Sequence, residues 1–362
     1  MSVDVGVAPA IGPETTRGVA DIVAVDLRPQ IGAIDAGAYP ETVLRALGAA
    51  GAFAHHTDGT AAGLLRAIEA MGEIAEACLS TAFCTWCQDA LVWYLARSDA
   101  PGPAGQFAAT ADGRHLGGTG LSNPMKAFSG IEPLALSGTR VPGGYRVRGR
   151  LPWVSNLAPG HRFAAIFALD DGRRVMAALT TGTDTVGLAA NTRFVALEGT
   201  GTYTVLIRDA FVSDDDVIAP DAAAFVPRIR NGFVLLQTGM GLGLARGVAA
   251  LMRTDDRGRR QAAALPLPPE AIEERIAVLH ERIAVAAERQ ADPDRSTFLE
   301  ILRLRLDVSW LALESAQAAM LQFGARGYQE GSEAFRRFRE AQFVSIVTPS
   351  AKHITAELAR SA

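Results

Sequence analysis

The chain has 362 residues, of which 49% are hydrophobic and 20% are charged, and its formal net charge is −4. This composition excludes intrinsic disorder, which requires low hydrophobicity, and fibrous polymers, which require far more than the 36 Gly and 18 Pro present. The length predicts about two or three structural units with a sizeable core.

Charge, apolar runs and cysteine content indicate the cellular location of the chain and the classes of partner to expect. The slightly acidic pI of 5.9 gives no reason to expect a nucleic-acid partner. No run approaches the ~18 consecutive apolar residues of a membrane span, and the N-terminus lacks a basic segment followed by an apolar one. The cysteines Cys78, Cys84 and Cys87 are too sparse for a disulfide framework. We therefore expect a cytoplasmic protein without a membrane or nucleic-acid partner.

The first unit, residues 1–116, is predicted to be helical. Apolar residues recur at helical spacing over residues 39–50, 61–79 and 81–98. The last of these segments is apolar nearly all round, which predicts a helix that is buried on several sides.

The second unit, residues 117–222, is predicted to be a β-sandwich or barrel. Here the chain consists of short apolar runs separated by turn residues, such as Asp170, Asp171 and Gly172 between two apolar segments. Gly after Asp between apolar runs is a strong hairpin signal.

The third unit, residues 223–362, returns to helical spacing. Long apolar-striped helices are predicted over residues 232–252, 270–290 and 296–323, which indicates a four-helix bundle. The fold class is therefore α+β, with a helical domain, a central β domain and a helical bundle in that order.

This order, together with one segment of the β domain, resembles the acyl-CoA dehydrogenase superfamily. Residues 149–156, GRLPWVSN, are similar to the family's G-x-K-x-W-I-T/S-N segment. The resemblance implies that Trp153, Val154 and Ser155 bind the flavin, with the Trp153 ring packed on it and the Ser155 hydroxyl near N5 and O4. The alternative is that Trp153 and Ser155 are ordinary core and edge residues of the β domain.

Two further segments extend the resemblance. Residues 120–124, GLSNP, are similar to the family's x-x-T-E-P segment, which implies that Leu121 and Ser122 line the pyrimidine side of the flavin. Residues 323–328, FGARGY, are similar to the G-G-x-G-F/Y turn, which implies that Gly324 and Gly327 bind FAD across a subunit interface. The family's R-x-x-F-G motif is missing, and residues 252–258 only approximate it. The implied cofactor is FAD, and the implied assembly is a homodimer or homotetramer.

The family's catalytic Glu has no counterpart. Counting along the last helices, its position falls on Thr348, and residues 232–236, where some family members carry the Glu, hold no carboxylate. A threonine hydroxyl is a poor base near neutral pH. The monooxygenase branch of the family often has a histidine near this region, and His353 is the nearest candidate. Thr348 and His353 are therefore the candidate catalytic residues.

The resemblance implies a FAD-dependent oxidoreductase that acts on an acyl thioester or a similar small molecule. It would work with an electron-transfer partner or a flavin reductase. Two alternatives remain open: a flavin-dependent monooxygenase of the same fold, and a base-lacking structural subunit of a hetero-oligomeric acyl-CoA dehydrogenase.

Four other patterns have structural interpretations. Cys84 and Cys87 are interpreted as buried helical cysteines, and residues 239–243, GMGLG, as a site of close helix packing. His55 and His56 have no partners at metal-ligand spacing, so we expect no metal and interpret them as solvated or hydrogen-bonded. The run of residues 336–339, RRFR, is interpreted as a solvated helix face, with a phosphate contact as the alternative.

Overall fold

The computed structural model describes residues 17–261 and 265–361. The N-terminal part of this structure is helical, as the periodicity predicts. Its helices are α1 (Val19–Ile22), α2 (Ile31–Asp35), α3 (Glu41–Ala49), α4 (Ala61–Ala77), α5 (Leu79–Ala96) and α6 (Ala104–Ala111).

Helix α5 runs through the interior of the protein. All of its residues from Leu79 to Leu95 are buried, because it has only one charged side chain and apolar residues on every face. Cys84 and Cys87 lie within it as buried free thiols, which confirms their interpretation as helical core residues.

The central part forms one mixed, eight-stranded sheet in the order β6-β7-β3-β2-β4-β5-β8, in which β1 also pairs with β4. Helix α7 (Ser122–Phe128) separates β1 from β2. Both β1 and β2 run parallel to β4, and the remaining pairs are antiparallel. The strands are β1 (Gly117–Thr119), β2 (Leu136–Val141), β3 (Gly144–Val154), β4 (Arg162–Leu169), β5 (Arg174–Thr180), β6 (Val186–Ala190), β7 (Tyr203–Ser213) and β8 (Val217–Ala219).

Strand β4 contributes side chains to two different hydrophobic cores, one on each face of the sheet. Side chains alternate between the two faces of a strand. Phe163 and Phe167 belong to a core enclosed by the sheet itself, whereas Ala164 and Ile166 belong to the core shared with the helices. The sheet is therefore buried on both faces here, which explains why β4 is apolar without alternation.

The C-terminal part is helical again. Helix α8 begins at Ala222 rather than at residue 232, because the Asp221 side chain accepts hydrogen bonds from the Ala223 and Ala224 amides at 3.0 and 3.1 Å and caps it. The helices are α8 (Ala222–Arg253), α9 (Asp256–Gln261), α10 (Pro269–Ala287), α11 (Arg295–Phe323), α12 (Glu333–Ile346) and α13 (Ala351–Ala359).

Helix α8 is the central helix of this bundle. It is long and apolar enough to cross a membrane by length and composition, but 83% of its most apolar window is buried inside the protein, as expected for a core helix. A Cβ atom on Gly243 would lie 2.1 Å from the carbonyl oxygen of Gly72 in α4, and one on Gly241 would lie 2.4 Å from Val308 in α11. The glycines therefore allow close helix packing, as predicted.

The interpretation of residues 336–339 as a solvated face is wrong. Arg336 and Arg337 are only 8% and 1% exposed. Arg336 donates to Glu340, itself 2% exposed, at 2.7 Å, and Arg337 donates to the same carboxylate at 3.3 Å. Arg337 also donates to the backbone carbonyl of Ala75 at 3.1 Å. The arginines therefore join α12 to the end of α4 through a buried ion-pair cluster.

Candidate active site

A cavity of about 460 Å³ lies where the sheet meets the helices. Its walls come from α5, α7, α8 and α12, from the ends of β1 and β3, from the loop before β7, and from the turn after α12. The residues that line it are Phe83, Trp86, Cys87, Thr119, Ser122, Lys126, Trp153, Ser155, Phe194, Val195, Ala196, Leu197, Thr200, Thr202, Phe233, Arg339, Gln342, Phe343, Ile346, Val347, Thr348 and Ser350.

The wall from the β domain is rich in hydroxyl groups. The Ser155 Oγ atom lies 2.6 Å from Thr202 Oγ1, which in turn lies 2.8 Å from Thr200 Oγ1. Thr119 Oγ1 lies 3.1 Å from the hydroxyl of Tyr94, a buried residue of α5. These contacts fix the hydroxyls in place, so this wall offers hydrogen bonds from an ordered array.

The wall from the helices is aromatic. Phe83 stacks on Trp86 with ring centroids 5.6 Å apart, and Trp86 meets Phe233 edge-on at 5.0 Å. Phe343 meets Phe83 edge-on at 4.5 Å. The Trp86 indole N–H donates to the Phe233 carbonyl at 3.3 Å, which fixes the orientation of the largest ring. In the sequence, these residues have the same apolar periodicity as ordinary core positions.

Trp153 is held at the cavity in an unusual backbone conformation. Its φ angle is +64°, in the left-handed region that bulky residues rarely adopt, and its side chain is 54% exposed. Asn156, also left-handed at +63°, fixes the turn because its side chain donates to the Gly117 carbonyl at 2.5 Å and accepts from the Tyr39 hydroxyl at 2.7 Å. The fold therefore maintains a strained, partly exposed indole at the cavity.

Thr348 faces the same cavity from the opposite side. Its Oγ1 atom lies 2.8 Å from Ser122 Oγ, so two hydroxyl groups meet where the start of α7 approaches the turn after α12. The Gln237 side chain donates to the Thr348 carbonyl at 2.8 Å and accepts from Arg305 Nε at 2.8 Å. Gln237 and Arg305 were not predicted, although polar residues inside apolar helical stretches are a signal that could have identified them.

Arg305 is fully buried behind this wall. Its guanidinium donates to three neutral oxygens, those of Gln237, Ser309 and the Val344 carbonyl, the last at 2.5 Å. Within the described ranges no carboxylate pairs with it. Burial lowers the pKa of Arg305 to about 10. Its charge is therefore uncompensated, and one amide group separates it from Thr348.

The charged residues that line the cavity are both cations. Lys126 pairs with Glu132 at 3.3 Å, and Arg339 pairs with Asp35 at 2.5 Å and donates to the Val195 carbonyl at 2.7 Å. Among the described residues that line the cavity, none is Asp, Glu or His. The cavity therefore offers hydroxyl groups and positive charge but no side chain that is a base near neutral pH.

The structure brings together four of the nine predicted site residues and leaves five outside the lining. Ser122, Trp153, Ser155 and Thr348 share the cavity. Its lining does not include the buried Leu121 and Val154, the turn residues Gly324 and Gly327 after α11, or His353 in α13.

His353 lies close to this site in sequence but does not reach it. Its ring is half-buried, its Nδ1 atom has no partner in the described part of the chain, and burial lowers its pKa. Its backbone amide instead belongs to the start of α13, where it donates to Ser350 Oγ at 3.3 Å.

A helical domain, a mixed sheet and a helical bundle around one shared cavity define the acyl-CoA dehydrogenase fold, so the predicted fold class is confirmed. No protein-family model and no curated protein matches the chain. Similar solved structures include butyryl-CoA dehydrogenase from Megasphaera elsdenii, with a TM-score of 0.82, 15% identity and 95% of each chain covered.

Two further solved structures widen the range of activities on this fold. A glutaryl-CoA dehydrogenase from Mycobacterium smegmatis in complex with FADH2 matches with a TM-score of 0.74 and 15% identity, covering 95% of this chain and 92% of that one. The dibenzothiophene monooxygenase TdsC from Paenibacillus sp. A11-2 matches with a TM-score of 0.77 and 17% identity, covering 94% and 95%. Identities this low establish the fold alone.

Proposed function

We propose that the chain is a FAD-dependent oxidoreductase that acts on an acyl thioester or a small molecule of similar size. The observation that carries this proposal is Trp153, a half-exposed indole in a left-handed conformation, two residues before Ser155 in the same cavity. Such a conformation costs about 1–3 kcal/mol, persists only where the surrounding structure imposes it, and is concentrated at functional sites. A planar ring system against the indole would bury the exposed surface.

The residues of the cavity fit a flavin. A flavin needs an apolar wall and a hydrogen-bond donor beside its reactive edge, and when bound it accepts a hydride or activates oxygen. Trp153 would provide the wall, and Ser155 would provide the donor, oriented by Thr202 at 2.6 Å. Ser122 and the backbone of Leu121 would contact the pyrimidine side of the flavin. Val154, the residue between Trp153 and Ser155, would keep these two side chains in position.

The remaining part of FAD lies outside this cavity in our proposal. Gly324 and Gly327 in the turn after α11 would approach its pyrophosphate, as the family resemblance implies. Gly324 has a φ of +56°, and a Cβ atom on it would meet nothing within 4 Å, so the backbone there is open to a ligand. The FADH2 complex of the Mycobacterium smegmatis enzyme supports FAD as the cofactor.

The type of reaction depends on the missing base. Because no described lining residue is a carboxylate or histidine, removal of an α-proton from a thioester would lack its usual acceptor. This observation favours the second candidate, a flavin-dependent monooxygenase supplied by a flavin reductase, over a dehydrogenase with an electron-transfer partner. In either case the Thr348 hydroxyl, which lies 2.8 Å from Ser122 Oγ, would hold a polar group of the substrate by a hydrogen bond.

The first experiment measures flavin in the purified protein. We expect bound FAD, about tenfold or more weaker binding in Trp153→Ala, and a smaller loss in Ser155→Ala. Phe211→Ala is the matched control, because Phe211 is also an exposed aromatic residue of the β domain, at 50%, but lies outside the cavity lining. A colourless protein that refuses added FAD would falsify the proposal and favour the structural subunit.

The second experiment separates the reactions. Bleaching of the flavin by an acyl-CoA without oxygen would indicate a dehydrogenase, and oxygen uptake that requires a flavin reductase would indicate a monooxygenase. Sedimentation of the flavin-bound protein tests the proposed homodimer or homotetramer, and co-purification with a second chain that carries the Glu would indicate the subunit role. Fractionation of cells tests the cytoplasmic location.

A further inference from the structure

The aromatic wall of the cavity indicates the class of substrate. We infer that the substrate presents a planar aromatic group of one or two rings to this wall, rather than a saturated acyl chain. This inference rests on the proposed function, because it assigns the sheet side of the cavity to the flavin and the helix side to the substrate.

The geometry of the wall is that of aromatic recognition. Its rings alternate between stacked and edge-on contacts: Phe83 and Trp86 are nearly parallel at 10°, whereas Phe233 and Phe343 stand at 64° and 63° to their neighbours. Offset stacked and edge-to-face pairs are the arrangements that the ring quadrupole favours. An aromatic ligand would continue this pattern, and a saturated chain would gain only the contact area.

The wall is rigid before any ligand arrives. Phe83, Trp86 and Phe233 are 6%, 3% and 2% exposed, and the Trp86 indole is fixed by its hydrogen bond to the Phe233 carbonyl. Little side-chain entropy would be lost on binding a flat, rigid group. Cys87, which also lines the cavity, is a neutral contact rather than a nucleophile, because burial raises the pKa of its thiol well above the ordinary value.

Charge limits the substituents of this aromatic group. The charged lining residues Lys126 and Arg339 are both cations, and the uncompensated Arg305 lies behind Thr348. A cationic ligand would find no described carboxylate in the lining. The unpaired charge of Arg305 would repel it, whereas Lys126 and Arg339 are already paired with Glu132 and Asp35. The substrate is therefore a neutral or anionic aromatic compound, with its polar group near the Thr348 hydroxyl.

The available space agrees with a small ring system. An apolar cavity of about 150 Å³ is enough to bind benzene. The cavity here measures about 460 Å³, so it has room for such a group beside another planar ring.

A matched pair of probes tests the inference. We would titrate the flavin-loaded protein with 2-naphthol and with decahydro-2-naphthol, which share a skeleton but differ in aromaticity, and measure binding by calorimetry and by the change in the flavin spectrum. We expect 2-naphthol to bind about tenfold more tightly. The cation 2-naphthylmethylamine should bind more weakly than 2-naphthol.

Substitutions in the cavity test which residues cause the preference for 2-naphthol. Trp86→Leu and Phe343→Leu should each reduce the preference for 2-naphthol severalfold, whereas Phe211→Leu, outside the cavity lining, should leave it unchanged. Phe343 is only partly buried, so its variant remains informative if Trp86→Leu does not fold. Equal affinity for the two probes, or a preference that survives both cavity variants, would overturn the inference.

The same titration separates this inference from the proposed function. If the purified protein binds no flavin, the proposed function fails, but calorimetry on the flavin-free chain still compares the two probes. A retained preference for 2-naphthol that both cavity variants reduce would then support an aromatic binding site without flavin chemistry. Loss of the preference in a flavin-loaded protein would reject the substrate class and leave the flavin proposal intact.

Discussion

Two groups of buried arginines in the C-terminal helices are stabilised in different ways. Arg336 and Arg337 share the carboxylate of Glu340, which is itself 2% exposed. Arg305, in the neighbouring helix α11, donates only to neutral oxygens. With Glu333, which contacts both arginines at 3.2 and 3.4 Å, the first group holds two cations and two carboxylates, whereas Arg305 leaves a positive charge inside the protein.

The pKa values follow this difference. Burial is the largest single influence on Arg336 and lowers its pKa, but the combined attraction of Glu340, Cys78 and Glu333, with the hydrogen bond to Glu340, outweighs burial and the net pKa is raised. Burial is the larger influence on Arg337, whose pKa is lowered despite Glu340. Arg305 is lowered to about 10 by burial alone. Unpaired buried charge is costly, so Arg305 behind the cavity wall at Thr348 carries a desolvation cost that the balanced group, which joins helices, offsets with carboxylates.

The largest effect is expected from Glu340→Gln, which removes the charge shared by the balanced group. Arg336 and Arg337 would lose their buried carboxylate and keep only the exposed Glu333, and breaking a buried pair in this way costs about 3–5 kcal/mol. The free energy of unfolding from urea titration measures the loss. A change below about 1 kcal/mol would show that the cluster is less important than its burial suggests.

A smaller loss, about 1–3 kcal/mol, is expected from Arg305→Met. The variant leaves the oxygens of Gln237, Ser309 and Val344 without their hydrogen-bond donor, but it also removes the desolvation cost of the cation. Urea titrations of Arg305→Met and Glu340→Gln under the same conditions compare the losses in the free energy of unfolding for the two groups. If Arg305→Met were the more destabilising variant, our distinction between balanced and unbalanced charge would be reversed.

Asp89 extends the comparison to an unbalanced carboxylate. It is fully buried in α5, and its Oδ1 atom lies 3.3 Å from His56 Nε2. Burial raises its pKa above the ordinary value. A raised pKa in the folded state means that its stability contribution is fully present below the ordinary carboxyl pKa and is lost as the pH rises through the raised value.

Asp89→Asn should therefore gain stability relative to the parent chain as the pH rises through that window. The gain should be up to about 1.4 kcal/mol per pH unit, because the amide cannot ionise. Thermal unfolding of both chains across acidic to neutral pH measures the difference. A constant difference at every pH would mean that Asp89 has no raised pKa.

The smallest effect is expected from Glu333→Gln. Glu333 also contacts Arg336 and Arg337, at 3.2 and 3.4 Å, but its side chain is 49% exposed. Exposed ion pairs contribute about 0–1 kcal/mol because water screens them. This variant is the matched control for Glu340→Gln, since both remove one carboxylate from the same arginines and differ mainly in burial.

The sequence predicted the helices well because their apolar spacing is strong. The long helices α4, α5, α10 and α11 occupy the predicted segments, with ends shifted by only a few residues. The start of α8 was missed because Asp221 and Pro227 interrupt the apolar pattern, although Asp221 is the cap of the helix.

The burial of charges and the shape of the cavity could not be predicted. Arg305 and Arg336 are the same residue type in similar helical contexts, and only tertiary packing decides which one meets a carboxylate. Likewise, Phe83 and Trp86 follow the same periodicity as core residues, because a cavity wall and a core have the same apolar pattern. The motif residues Trp153 and Ser155 were identified by resemblance, and their part in binding a flavin remains a prediction.

The cavity draws its walls from residue 83 to residue 350, through the N-terminal helices, the sheet and the C-terminal bundle. Binding there is consequently coupled by mass action to the folding of all three parts. A ligand at about a hundred times its Kd would add about 2.7 kcal/mol to the free energy of unfolding. A shift in the melting temperature can therefore report ligands of this cavity before any reaction is known, and it requires no assay of turnover.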